Sequence, residues 1–331
     1  MTHHERMHNC LYRKDIQTNP VSFWRHFPHA DQSADNLANA TIAWQRKFDF
    51  DFVKVTPASS FCLKDWGVED EYLGNPFGIR NYKRPIIHQP DDWLKLPVLE
   101  AENQYLNQQI EALRKIKKVL GNSVPIVQSI FNPLVQMENM AGNKTLNDHL
   151  QRFPEAVLAG LETISKSTAN FVQKAVATGI DGIFFIIKHA PPTVFSNLKY
   201  SRFGVPFDNI CLQPASKLWM NILHLHSDNP DFDDFENFPT AMLSMHGLHH
   251  SGNLLKAISS SEKILCGGLQ RVAEMGDGTE DEIARKCSKL FNETAGKQFV
   301  LSAECGLRLD TADRNIFNAV NLARENEKKF Q

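Results

Sequence analysis

The sequence predicts a (β/α)8 barrel, and three observations carry that expectation. Short apolar runs rich in β-branched and aromatic residues recur eight times along the chain. Several are almost continuously apolar, as strands covered on both faces are. Between them lie stretches with the period of amphipathic helices, and strand alternating with helix is the pattern of a parallel sheet. No GxGxxG opens a helix, which argues against a doubly wound dinucleotide fold. With 331 residues, no long linker and no internal repeat, one large barrel over residues 19–331 is the expected organisation.

The first fifteen residues, "MTHHERMHNCLYRKD", are polar and lack the apolar centre of a secretory signal. Residues 1–18 are expected to be a flexible segment, with the histidines at 3, 4 and 8 in a frayed terminus. The first strand is read at "VSFWRHF" (21–27), followed by the amphipathic "ADNLANATIAWQRKF" and a second strand at "FVKVT" (52–56). Residues 57–102, rich in Gly, Pro and aromatics, are too long for an ordinary connection and are expected to be a functional insertion over the barrel mouth.

A long helix is expected over "PVLEAENQYLNQQIEALRKIKKVLGN", closed by Gly121–Asn122 with lysines in its last turns. Strands follow at 124–131 and 182–188, separated by a helix that opens on Pro154 and ends at Gly179. The remaining strands are read at 221–227, 241–247, 263–269 and 299–306. "EDEIARKCSKLFNETAG" precedes the last strand, and a final helix follows Thr311 as N-cap.

Composition is ordinary for a globular protein, with 42% hydrophobic and 22% charged residues. The formal net charge of -2 gives no basis for a nucleic-acid or anionic-membrane partner. Six cysteines without a CxxC pair fit a reducing, cytoplasmic setting. Apolar runs such as "GIFFII" are too short to span a bilayer.

In such barrels the active site lies at the C-terminal strand ends. There "NILHLHSDNP" sets His224 and His226 two residues apart on a strand, so both rings lean to one face, with Asp228 just beyond. His224, His226 and Cys305, at the end of the eighth strand, form a donor set suited to Zn²⁺ with an open fourth position. The alternative is a metal-free histidine hydrogen-bonded inside the barrel and an inert buried cysteine. Lys54 shares parity with Phe52 and Thr56. It either points into the barrel, where it needs a partner, or snorkels outward between helices; the interior is favoured. Arg25, beside Trp24, could fork onto a substrate carboxylate or make a surface ion pair. Trp24, Asn132, His246 and Asp228 are the expected substrate contacts, while His249 and His250 are read as solvated loop residues.

The segments "FNPLVQMENMAG", "GIDGIFFI", "FGVPFD", "NILHLHSDNP", "ILCGGL" and "CGLRLDTADRNIFNAV" together resemble the uroporphyrinogen decarboxylase superfamily from about Trp24 to Ala323. The resemblance implies a (β/α)8 barrel, a small-molecule substrate and a homodimer. It implies two chemistries. One is cofactor-free decarboxylation of a carboxylated tetrapyrrole or smaller relative, with Arg25, Lys54 and a histidine as cationic or proton-donating groups. The other is zinc-dependent methyl transfer linked to a corrinoid protein, with His224, His226 and Cys305 as ligands and Glu304 or Asp228 behind them. A non-catalytic barrel that binds a tetrapyrrole or corrinoid partner is the third reading.

The chain departs from both enzyme patterns. "PVSFWRHFPHA" keeps Trp24 and Arg25 in kind but lacks the GRY portion of the decarboxylase motif. "VTPASS" has no acid where the decarboxylase aspartate stands. Against the methyltransferase HxC motif, His224 matches the histidine, His226 replaces the first cysteine, and Cys305 matches the second.

Overall fold

The computed structural model describes residues 1–14, 18–189, 200–226, 235, 237–294 and 299–325. β1 (Val53–Val55) is followed by an antiparallel hairpin, β2 (Asp70–Glu71) and β3 (Asn81–Tyr82). Then come β4 (Ile126–Phe131), β5 (Gly182–Ile187), β6 (Ile222–Leu225), β7 (Met242–Met245), β8 (Ile264–Leu269) and β9 (Phe299–Ala303). Outside the hairpin, all pair in parallel in the order β1-β4-β5-β6-β7-β8-β9. Parallel neighbours in chain order are what a (β/α)8 barrel requires.

The expected first strand takes the eighth place as extended chain rather than as a regular strand. Val21 bridges Leu301. The Leu301 amide donates to the Pro20 carbonyl at 2.8 Å, and on the other side the Asp51 amide donates to the Val21 carbonyl at 2.9 Å. The ring thus closes between β9 and β1. Regular pairing stops because the next carbonyls are already engaged: Phe23 accepts from Trp44 Nε1 at 2.9 Å, and Trp24 from the Leu307 amide at 2.8 Å.

The helices Ala34–Phe48 and Pro154–Val176 fall where the periodicity puts them. The long helix runs only over Gln104–Leu120. Its amides at Tyr105 and Leu106 donate to Asp65, a carboxylate from the insertion that caps the helix in place of a local residue. The last helix begins at Asp313; the Thr311 hydroxyl is buried without a hydrogen-bond partner among the described residues, so it does not cap.

The expectation of a frayed N-terminus gives way over residues 3–11. His3–Leu11 is a helix with a Thr2/Glu5 capping box. Met7 and Cys10 are fully buried and join the packing inside the barrel, so this helix closes the end opposite the strand C-termini. It is tied down by Asp51, which accepts from Arg6, from Arg324 at 2.6 Å and from the Val21 amide at 2.8 Å. Among the described residues no helix is long and apolar enough to cross a membrane.

Strand alternation builds the interior in layers. The lower layer is apolar: Phe52, Val127, Phe184, Ile222, Met242, Ile264 and Val300, packed with Met7 and Cys10. The upper layer, two residues further along each strand, contains Lys54, Ser129, His224, Ser244, Cys266 and Ser302, all buried. Polarity is concentrated in the layer nearest the C-terminal rim.

Candidate functional site

His224 lies on β6 directly paired with Ser244 on β7, and its Nδ1 is 3.1 Å from the Ser244 hydroxyl. His226 and His246 follow the ends of the same two strands. The His224 ring centroid is 5.8 Å from both, and His226 and His246 are 4.0 Å apart. Cys305 follows β9 across the rim. Donor atoms of His224, His246 and Cys305 all lie within 4.8 Å of one another.

Burial pushes the Cys305 thiol up, but the His224, His226 and His246 rings beside it outweigh that and hold it well below its ordinary range. Burial drives His224 down to about 4, so the ring is neutral at physiological pH. A thiolate and a neutral imidazole are the ligand-competent forms.

This centre opens into a cavity of about 170 Å³, below the roughly 300–1,000 Å³ of pockets that take drug-sized ligands. His224, His226 and Cys305 share its wall with Trp24, Lys54 and His26. Phe77–Arg80 and Tyr82 from the insertion, together with Arg271, line it as well. Arg80 is fixed by Asp31, with Nη2 to Oδ1 at 2.8 Å, and by the Pro28 carbonyl at 2.6 Å. No carboxylate side chain of the described residues lines the cavity.

Lys54 points inward. It is 8% exposed, and burial lowers it to about 8, with Cys305 partly offsetting the shift. Trp24 stands on the cavity wall with its ring centroid 5.1 Å from Phe184. Arg25 does not reach the cavity. Its guanidinium stacks over Trp44 at 4.3 Å and donates to the Leu309 carbonyl at 3.1 Å. The reason is parity: with Trp24 inward, Arg25 faces out and His26 faces in. His26, which the sequence offers beside Arg25 at the end of this segment, is the one of the two that reaches the cavity; burial pushes it down to about 4.

Asn132 is also off the cavity. It is fully buried, caps the helix Pro133–Ala141 through the Val135 amide, and donates to Asp208 and Tyr200 at 3.1 Å each. Asp228 lies outside the described residues. His249, read as a solvated loop residue, is partly buried with Nδ1 3.3 Å from Glu304.

The expected donor trio changes in one member. His226 faces the cavity, but the donor atoms that converge within 4.8 Å are those of His224, His246 and Cys305. Nε2 of His224 and Nε2 of His246 are buried without a hydrogen-bond partner among the described residues. Orphaned imidazole nitrogens beside a stabilised thiolate fit a zinc ion, which takes N and S donors of this kind. His224, His246 and Cys305 would hold it, with the Ser244 hydroxyl orienting the first ring.

Comparison with known proteins follows the same line. A methyltransferase from Methanosarcina mazei superposes with a TM-score of 0.84 at 17% identity, covering 98% of this chain and 99% of that one. A B12-independent methionine synthase from Shewanella sp. W3-18-1, in complex with selenomethionine, gives 0.56 at 12% identity, covering 95% and 94%. A putative vitamin-B12 independent methionine synthase from Listeria monocytogenes gives 0.54 at 11%, covering 94% and 97%. At these identities the likeness is one of fold. A search of curated proteins gave no significant match. The family model described as uroporphyrinogen decarboxylase (URO-D) matches residues 17–326, and the chain belongs to that family.

Proposed function

We propose that the protein is a zinc-dependent methyltransferase acting on a small thiol. The observation that carries this reading is the convergence of His224, His246 and Cys305 within 4.8 Å, with two orphaned imidazole nitrogens and a thiol held low. When bound, zinc supplies the acidity that makes a substrate thiol a nucleophile near neutral pH. The chain's own residues do the rest. His224 stays neutral and available, the apolar walls formed by Trp24, Phe184 and Ile186 exclude water, and His226 on the cavity wall takes the substrate thiol's proton. The sulfur then bonds to the incoming methyl carbon, and the electron pair of the broken methyl bond leaves with the donor. A cavity of about 170 Å³ suits a small thiol better than a tetrapyrrole macrocycle.

A second reading is decarboxylation of a small acid, as the family name suggests. The buried ammonium of Lys54 on the cavity wall favours it, since a cation there would stabilise developing negative charge. Elemental analysis of carefully purified protein separates the two. About one zinc per chain, lost in Cys305→Ser, supports methyl transfer; metal-free protein that decarboxylates would overturn it.

A further inference from the structure

The register of β1 sets Lys54 on the cavity wall. It pairs with Val127 of β4, and alternation turns its side chain into the barrel. There the amine nitrogen stands 4.7 Å from the Phe184 ring centroid and 5.6 Å from that of Trp24. The Thr56 hydroxyl donates to the Lys54 carbonyl and accepts from Nζ at 3.3 Å. No carboxylate side chain of the described residues lines this cavity. Cys305 is the charged neighbour and favours the ammonium, yet burial outweighs it and brings the group to about 8. A lysine desolvated in an apolar pocket is an activated nucleophile, and its natural electrophile is a carbonyl carbon.

His26 stands on the same wall. Burial lowers it, and the charge of Lys54 lowers it further, so the ring is neutral. The Pro57 carbonyl takes a ring N–H, which leaves the lone pair on the other nitrogen. A neutral imidazole near an amine is what proton transfer during addition to a carbonyl requires.

We propose that Lys54 captures a small aldehyde or ketone as a covalent imine, with His26 carrying the protons. The amine nitrogen bonds to the carbonyl carbon, and the electron pair of the C=O π bond moves to oxygen. The two amine hydrogens then leave with that oxygen as water, and the C=N bond forms. A proton from solvent makes the imine a cation. The aromatic faces of Phe184 and Trp24 and the Cys305 thiolate steady a cation at this position before capture and after it. A cavity of about 170 Å³ admits only a small carbonyl compound. The capture does not rest on the methyl-transfer reading, because neither Lys54 nor His26 belongs to the converging donor set of His224, His246 and Cys305.

Reductive trapping tests this. The protein as purified is mixed at pH 8 with acetone and sodium borohydride, which reduces a C=N bond to a secondary amine, and peptide mass spectrometry locates the isopropyl group. Lys54 should take it at least about tenfold faster than exposed lysines such as Lys95 and Lys166. Lys54→Met should remove the fast site with circular dichroism unchanged. His26→Asn should slow capture at Lys54 by at least about tenfold. Lys54 left unlabelled, or labelled no faster than the exposed lysines, would overturn the capture; an unchanged rate in His26→Asn would overturn the proton-carrying role. The wild-type map stands even if a variant fails to fold. Zinc content, measured on the same sample, tests the methyl-transfer reading separately: trapping without zinc would sink that reading alone, and zinc without trapping would sink the capture alone.

Discussion

His224 Nδ1 and the Ser244 hydroxyl, on directly paired positions of β6 and β7, stand 3.1 Å apart. If Nε2 is the ligating atom, Nδ1 carries the proton and donates to Ser244, which fixes both the tautomer and the ring plane. Ser244→Ala removes that support while leaving every ligand in place. Zinc affinity should fall by roughly 10–100-fold with the far-ultraviolet circular dichroism unchanged. Competition against a chelating dye measures it, and unchanged affinity would mean that ring packing against Phe184, 5.0 Å away, already suffices.

His246 and His226 make a discriminating pair. Their rings are 4.0 Å apart, yet only His246 joins His224 and Cys305 in the converging donor set. His246→Ala should therefore abolish stoichiometric zinc as Cys305→Ser does. His226→Ala should keep the metal and impair turnover. Elemental analysis of the two variants side by side decides it; zinc lost from His226→Ala and kept in His246→Ala would exchange the two roles.

What the sequence made legible was whatever depends on strand parity. Alternation turned Lys54 and His224 inward and brought the C-terminal ends of β6 and β9 to one rim. Contacts made across the ring were not legible, since they depend on curvature. Nothing in the spacing of His226 and His246 says which of them joins His224 and Cys305 in the converging set, and the stacking of Arg271 on Phe77 joins residues far apart in the chain. The Arg25 expectation overlooked parity: with Trp24 turned inward, Arg25 faces out onto Trp44. The N-terminal helix was hidden for another reason: its stability comes from Met7 and Cys10 entering the barrel, which a polar, histidine-rich stretch does not advertise.

Lys54 leaves a signature in the pH dependence of stability. Its folded value of about 8 lies below the ordinary 10.5, because burial disfavours the ammonium. Between those values the unfolded chain holds the proton and the folded one does not, so this group makes stability rise with pH across the window. Below about pH 8 the penalty is full, of the order of 3 kcal/mol. Lys54→Met lacks it. Denaturant unfolding should show the variant more stable than wild type at pH 7, with the gap closing towards pH 10.5. A gap independent of pH would show that Lys54 does not titrate in this window.

Asp51 at the opposite end of the barrel should control the N-terminal helix. Its buried carboxylate holds Arg6, Arg324 and the Val21 amide, so it joins that helix, the last helix and the closing segment of the ring. Burial raises this carboxyl, and His3, Arg324 and Arg6 outweigh the effect and leave it below its ordinary value. The stabilisation is therefore present above about pH 4 and is lost as the pH falls through the folded value. Asp51→Asn removes the charge at every pH and should cost about 3–5 kcal/mol, towards the lower end because Arg6 and Arg324 keep 14% and 21% exposure. The helix should then detach and uncover Cys10, which is fully buried in the intact protein. Alkylation followed by peptide mass spectrometry reads this directly. Cys10 should resist iodoacetamide in the wild type and be modified in Asp51→Asn under native conditions; protection in both would show that packing of Met7 and Cys10 holds the helix without the ion network.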